Sequence, residues 1–110
     1  MKNINLIKKF KLGGEIISEK DLEVREIYNG IRRRMVEVKL RDNAVLTKHK
    51  ANEPITVFCL SGKGFFAAGE MLEDRQNLQA GDLITLESGI EHEVVAEPEI
   101  HLLVTKFKEA

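Results

Sequence analysis

The sequence has little of what holds small secreted domains together or anchors a protein in a membrane. Its single cysteine, Cys59, cannot form a disulfide within the chain. No apolar run reaches the roughly 18 residues of a membrane span, and none forms the apolar core of about 7 to 15 residues typical of a signal peptide. These absences predict a cytoplasmic protein.

An excess of charge of either sign is also missing. The chain has 17 lysines and arginines against 18 aspartates and glutamates, so its formal net charge is -1. This balance implies no general attraction to nucleic acid or to a membrane surface. We interpret the most basic cluster, Arg32 to Arg34, as a solvated or interface face of a strand rather than as a phosphate site. With 110 residues, of which 43% are apolar, the chain is expected to form one domain around a single core.

No amphipathic helical pattern of ten or more residues is present, and short apolar and β-branched runs alternate with turn signals. The clearest strand is Ile55–Leu60, which the turn signal Ser61–Gly64 is predicted to end. Asn29-Gly30 predicts a hairpin with a type I′ turn, which needs positive φ at both central residues. Thr47–Lys50 is predicted to be a polar corner, and residues 1–12 a helical turn or an edge strand. The alternation predicts an all-β sandwich or barrel.

A glycine-rich stretch in the second half of the chain carries a recognisable spacing. Gly81, Gly89 and His92 are separated as the two glycines and the histidine are in the second motif of the cupin superfamily, with Glu87 in place of that motif's proline. Turns at the two glycines would bring His92 to the head of a strand. The chain therefore resembles a cupin over residues 36–107. This resemblance implies a jelly-roll β-barrel, a double-stranded β-helix, to which residues 1–35 add N-terminal strands.

The first cupin motif is matched less completely. Counting back from Gly62 without gaps places His49 on the first motif histidine and Asn43 on the opening glycine. The replacement of that glycine by Asn43 is reasonable because asparagine tolerates a left-handed backbone. The same register places Ala51 on the second motif histidine and Ile55 on the motif glutamate. Half of the family's usual donor set is then apolar.

A shifted register is the alternative. It makes Thr47 and His49 the two motif histidine positions and Glu53 the glutamate. It then needs two extra residues before Gly62 and loses the match at Asn43. We prefer the register without gaps.

The resemblance implies a metal site that this chain supplies only in part. Motif side chains of cupins converge inside the barrel on a divalent metal, which makes His49 and His92 candidate metal ligands. Imidazole with carboxylate suits Fe, Mn, Ni, Cu or Zn, and a site with open positions takes three or four protein ligands. Two imidazoles need a further donor, for which Glu53, Cys59 and His101 are candidates.

Strand alternation predicts the neighbours of this site. Ile55, Val57 and Cys59 share a face, and if Ile55 points inward as its family position implies, all three line a ligand-binding cavity. A small buried hydrophobe is the simpler interpretation of Cys59, and a hydrogen-bonded strand histidine that of His101. Four charged residues that flank the two motif histidines are predicted to face solvent: Lys48, Lys50, Glu91 and Glu93.

Two functions of different classes follow. The first is a barrel that binds a small polar or anionic molecule through His49 and His92, without a catalytic metal. The alternative is a metal-dependent cupin enzyme, an oxygenase or isomerase of a small substrate, in which the same histidines and a third donor hold the ion. The sequence leaves open whether the protein is an enzyme. In either case we expect a homodimer, because exposed sheet edges need cover and a two-fold axis supplies it.

Overall fold

The protein is described from a computed structural model, which covers residues 3–8, 10 and 21–109. Seven strands follow one another in the chain: β1 (Leu22–Asn29), β2 (Arg33–Leu40), β3 (Val45–Lys50), β4 (Ile55–Ala68), β5 (Asp74–Gln79), β6 (Leu83–Leu86) and β7 (Glu91–Phe107). The described residues include no helix, and hence none that could cross a membrane. The predicted all-β class is confirmed.

Two long strands, β4 and β7, run through both walls of the barrel. In the first wall, the initial part of β4 and the final part of β7 pair with each other, flanked by β6 on one side and by β2 and β1 on the other. In the second wall, the remaining parts of the same two strands lie between β5 and β3. All pairs are antiparallel, and this arrangement is the predicted jelly roll.

Glycines allow β4 to bend from one wall into the other. The register between β4 and β7 shifts between Gly62 and Gly64, and Gly62 has a φ of 79°. A Cβ at Gly62 would overlap the carbonyl oxygen of Glu99, and one at Gly64 would overlap that of Val95. The turn signal at Ser61–Gly64 was therefore real, but the prediction that the strand ends there is wrong. The chain bends there and stays paired.

The hairpin predicted at Asn29-Gly30 is confirmed, since β1 and β2 pair antiparallel, but its predicted type I′ turn is wrong. Neither residue has positive φ, and Asn29 pairs with Arg34 across a longer loop. A Cβ at residue 30 would lie 2.6 Å from the ring of Tyr28, at the end of a side chain that can move aside. Positive φ at two consecutive residues occurs instead at Asp42 (54°) and Asn43 (60°), between β2 and β3.

Polar strands account for the other differences. The predicted polar corner Thr47–Lys50 belongs to β3, and β5 has no counterpart in the prediction. In β5 only Leu78 is buried, so no period-two apolar pattern marks it. Residues 3–8 form neither the helical turn nor the edge strand expected for residues 1–12, of which the remainder, Phe10 apart, lies outside the described residues.

The core lies between the two walls, while one buried hydrogen-bonded pair lies on the outer side of the first wall. Nε2 of His101 is 2.7 Å from a carboxylate oxygen of Glu37, and the other carboxylate oxygen accepts a hydrogen bond from Nε of Arg25 at 3.0 Å. Glu37 is 4% exposed and His101 is 5% exposed. The prediction of a hydrogen-bonded strand histidine at position 101 is confirmed.

Candidate functional site

The two motif histidines meet inside the second wall. His49 and His92 are register partners in the ladder between β3 and β7. Their ring centroids lie 4.2 Å apart, in an edge-on arrangement with an interplanar angle of 61°. His92 is buried, and His49 is exposed at the mouth of the barrel. The fold thus brings together two side chains that are far apart in the sequence.

Backbone carbonyls orient both imidazoles. Nδ1 of His49 lies 2.7 Å from the carbonyl oxygen of Thr47, and Nδ1 of His92 lies 3.0 Å from that of Ile90. Since a carbonyl oxygen only accepts hydrogen bonds, each Nδ1 must carry a proton. Each Nε2 is then an acceptor when the ring is neutral and a donor when the ring is charged. Phe66 stacks on the ring of His92, with 5.5 Å between the ring centroids and an angle of 11° between the ring planes.

The environment of His92 disfavours its charged form. Burial lowers the pKa of His92 below its ordinary value, and the nearby positive groups of His49 and Lys106 lower it further. The carbonyl of Ile90 opposes this shift but does not reverse it. At neutral pH the His92 ring is therefore uncharged in the free protein, with its Nε2 lone pair available.

A cavity of about 190 Å³ lies beside the two histidines. Fifteen residues line it, eleven of them apolar and four basic. The apolar walls come from both sheets, and the buried part of them includes Val36, Val38, Val57, Phe66, Val94 and Leu102. The four basic residues are His49, Lys50, His92 and Lys106. No aspartate or glutamate is among the lining residues of the described chain.

Two of the basic residues were not predicted. Lys50 was expected to face solvent; it is exposed, and it also lines the cavity. Lys106 is the register partner of Ile55, the position that the family resemblance assigns to a metal-binding glutamate. Period-two counting from the buried Ile100 would have placed Lys106 on the inner face. A lysine thus lies beside the position where the family carries a carboxylate.

Only some of the other predicted site residues line the cavity. Ile55 and Val57 line the cavity, whereas Cys59 and Glu53 do not. Cys59 is fully buried, its thiol lies 3.4 Å from the carbonyl oxygen of Ser61, and burial together with the charge of Asp82 raises its pKa. A thiol of raised pKa is a poor nucleophile and a poor metal ligand. His101 lies on the outer side of the first wall with Glu37, so it cannot join the two motif histidines.

The donor set does not fit a mononuclear cupin metal site. Within the described residues, no three side chains of histidine, cysteine, aspartate or glutamate are placed to hold an ion together. Two imidazoles are present, and the lysines at positions 50 and 106 place positive charge at the same mouth. The three or four ligands expected of such a site are therefore not supplied by this part of the chain.

Comparison with known proteins supports the fold. No family model matches the sequence, and no curated protein matches it. Among solved structures, a cupin superfamily protein from Desulfitobacterium hafniense has a TM-score of 0.75 at 10% identity over 84% of this chain and 82% of its own. A conserved protein of unknown function from Streptococcus pyogenes has a TM-score of 0.75 at 14% identity over 99% of both chains.

An RmlC-like cupin from Desulfovibrio desulfuricans is similar as well, with a TM-score of 0.72 at 18% identity over 96% of this chain and 94% of its own. Structural similarity at sequence identities this low supports a shared fold and does not identify a substrate or a cofactor. The jelly roll, its two shared strands and these likenesses together show that the chain has the fold of a small cupin.

Proposed function

We propose that the barrel binds a small anionic molecule and holds its charged group at the mouth of the cavity. One observation carries the proposal: every ionisable side chain that lines the cavity in the described structure is a base. His49 and Lys50 are exposed at the mouth, and Lys106 is half-buried beside Ile55. A cavity that is mostly apolar with a few convergent polar groups is the usual form of a small-molecule site.

The chemistry of these groups suits a carboxylate. Each lysine ammonium offers three donors, and hydrogen bonds between charged partners are about twice as strong as neutral ones. Nε2 of His92 becomes a donor when the ring takes up a proton, which a neighbouring anion promotes. The anion would offset the positive charge that the two lysines bring to this cavity.

A metal-dependent enzyme is the second candidate. The two Nε2 lone pairs, with both Nδ1 atoms held by carbonyls, have the orientation of imidazole metal ligands. This observation favours the candidate, while the absence of a third donor among the described residues opposes it. No acid or base role is assigned to any residue for such a reaction.

Calorimetric titration with carboxylates, beside metal analysis of untagged protein, separates the candidates. We expect carboxylate binding that weakens at least tenfold in Lys106→Ala and in His92→Ala. Lys63→Ala is the matched control, because Lys63 is exposed and does not line the cavity. Near-stoichiometric metal that disappears in His92→Ala, with no carboxylate binding, would overturn the proposal in favour of the enzyme.

The homodimer expected from the sequence stays a prediction. Within the described residues β1 pairs only with β2, so its outer edge is open to a strand from a second copy. A mass measurement in solution tests it, and a monomer at micromolar concentration would contradict it.

A further inference from the structure

The interior of the cavity has a chemistry of its own, distinct from that of the mouth. Apart from the four basic groups, every side chain that lines the walls is a hydrocarbon. Val57, Phe66, Val94 and Leu102 form the deepest part, and all are almost completely buried. They lie on strands whose backbone groups bond to neighbouring strands, so the walls offer few free donors or acceptors.

This interior discriminates between ligands that share the same charged group. A hydroxyl or second carboxylate carried into it would lose its water and find no partner, which disfavours binding. A methylene chain or an unsubstituted ring would instead leave water for an apolar surface, which favours binding. The cavity therefore rejects sugar acids and dicarboxylates even though its mouth attracts them.

The volume limits the length of the ligand. The cavity holds about 190 Å³, and since a water molecule takes about 30 Å³ of liquid volume, it accommodates about six non-hydrogen atoms. The stacked rings of Phe66 and His92 belong to the wall and place an aromatic surface beside the imidazole.

On this basis we propose that the ligand is a hydrocarbon monocarboxylate of about six carbons, whose two carboxylate oxygens lie at the mouth, outside the volume that its carbons fill. Its carboxylate lies among Lys50, Lys106 and the two histidines, and its unsubstituted chain extends inward to Val57 and Val94. The proposal rests on the proposed anion-binding function and adds the requirement for an apolar body.

A series of six-carbon compounds tests it, each titrated calorimetrically into the full-length protein. Hexanoate is expected to bind, and gluconate, adipate and 1-hexanol are each expected to bind at least tenfold more weakly. If gluconate or adipate binds as well as hexanoate, anion binding stands and the apolar-body requirement is overturned. If 1-hexanol equals hexanoate, or if no acid binds, the anion-binding function itself falls.

A pair of neighbouring variants provides an independent check. Val94→Thr adds a hydroxyl to the cavity wall and is expected to weaken hexanoate binding severalfold, because the hydroxyl has no partner in an apolar wall. Val95→Thr makes the same change at the next residue of β7, which does not line the cavity, and should leave hexanoate binding unchanged. Circular dichroism confirms that each variant is folded. Equal affinities of the two folded variants for hexanoate would overturn the placement of the hydrocarbon chain.

Discussion

His49 and His92 face each other across one rung of the β3–β7 ladder, with 4.2 Å between their ring centroids. Two unit charges 4 Å apart repel by about 4 kcal/mol at an effective dielectric constant of about 20. The pair therefore resists holding two protons in the free protein. An anion placed between the rings and the lysines changes that balance, which couples ligand binding to protonation.

Hexanoate affinity is expected to rise as the pH falls from 8 towards 6. The pKa of His92 is lowered in the free protein, chiefly by burial, so the ring is neutral at pH 7. A bound carboxylate raises that pKa, and binding then takes up a proton. The dissociation constant should fall by at most about tenfold per pH unit for one proton, and the dependence should end below the pKa of the free ring.

Titrations at pH 6, 7 and 8 measure this slope, and buffers of different ionisation enthalpy report the proton uptake directly. His92→Gln keeps a hydrogen-bonding side chain without a titratable group, so its affinity should vary less with pH. An affinity for hexanoate that is the same at all three pH values would contradict the coupling.

Lys106→Glu is expected to exchange the preference of the site from carboxylates to divalent cations. The substitution puts a carboxylate beside Ile55 and the two histidines, and so supplies the third donor that the described residues lack. Zinc or nickel binding by calorimetry should appear, while hexanoate binding should be lost. Lys63→Glu makes the same change of charge away from the cavity and should do neither. A Lys106→Glu protein that still binds hexanoate would contradict the role of the lysine.

Glu37→Ala is expected to lower the free energy of unfolding by about 3 kcal/mol, because it leaves His101 buried without its partner. Glu26→Ala is the control, since Glu26 forms an ion pair with Arg34 of similar length, 2.9 Å, on the exposed surface. Exposed pairs contribute about 1 kcal/mol or less. Urea denaturation measures both variants, and equal losses would contradict the structural role of the buried pair.

Gly64→Ala is expected to prevent folding or to cost more than about 4 kcal/mol, because its Cβ would overlap the backbone at Val95. Gly81→Ala tests backbone strain alone. Gly81 has a φ of 95° and nothing within 4 Å of an added Cβ, so a loss of about 1 to 3 kcal/mol is expected. Soluble yield and thermal unfolding compare them, and a Gly64→Ala protein as stable as Gly81→Ala would contradict the close strand crossing.

Hydrophobic alternation and motif spacing were sufficient for the architecture and for the meeting of the two histidines. They predicted the strand at Ile55–Leu60 and the left-handed backbone at Asn43, because both depend on local sequence. They did not predict β5, whose six residues are almost all polar and exposed and whose position is set by pairing with β4. Long-range pairing leaves no local signal in such a segment.

The basic mouth was missed for a related reason. Lys50 is exposed, as alternation from His49 predicts, and its long side chain nevertheless reaches the lining of the cavity. Lys106 lies 14 residues from His92 along the same strand and comes near it only because β7 bends between the two walls. The pattern of the sequence identified which positions had lost their metal-binding groups, but not which side chains had taken their place.

The shared strands have a mechanical consequence. Because β4 and β7 each run from one wall into the other, the two walls cannot separate without breaking the pairing between these strands. A ligand would instead enter past the rim, where the short strand β3 carries His49 and Lys50 and pairs in the described structure with β7 alone. The rates of ligand entry and exit would then depend on the fraying of the six residues of β3, while the rest of the barrel stays rigid.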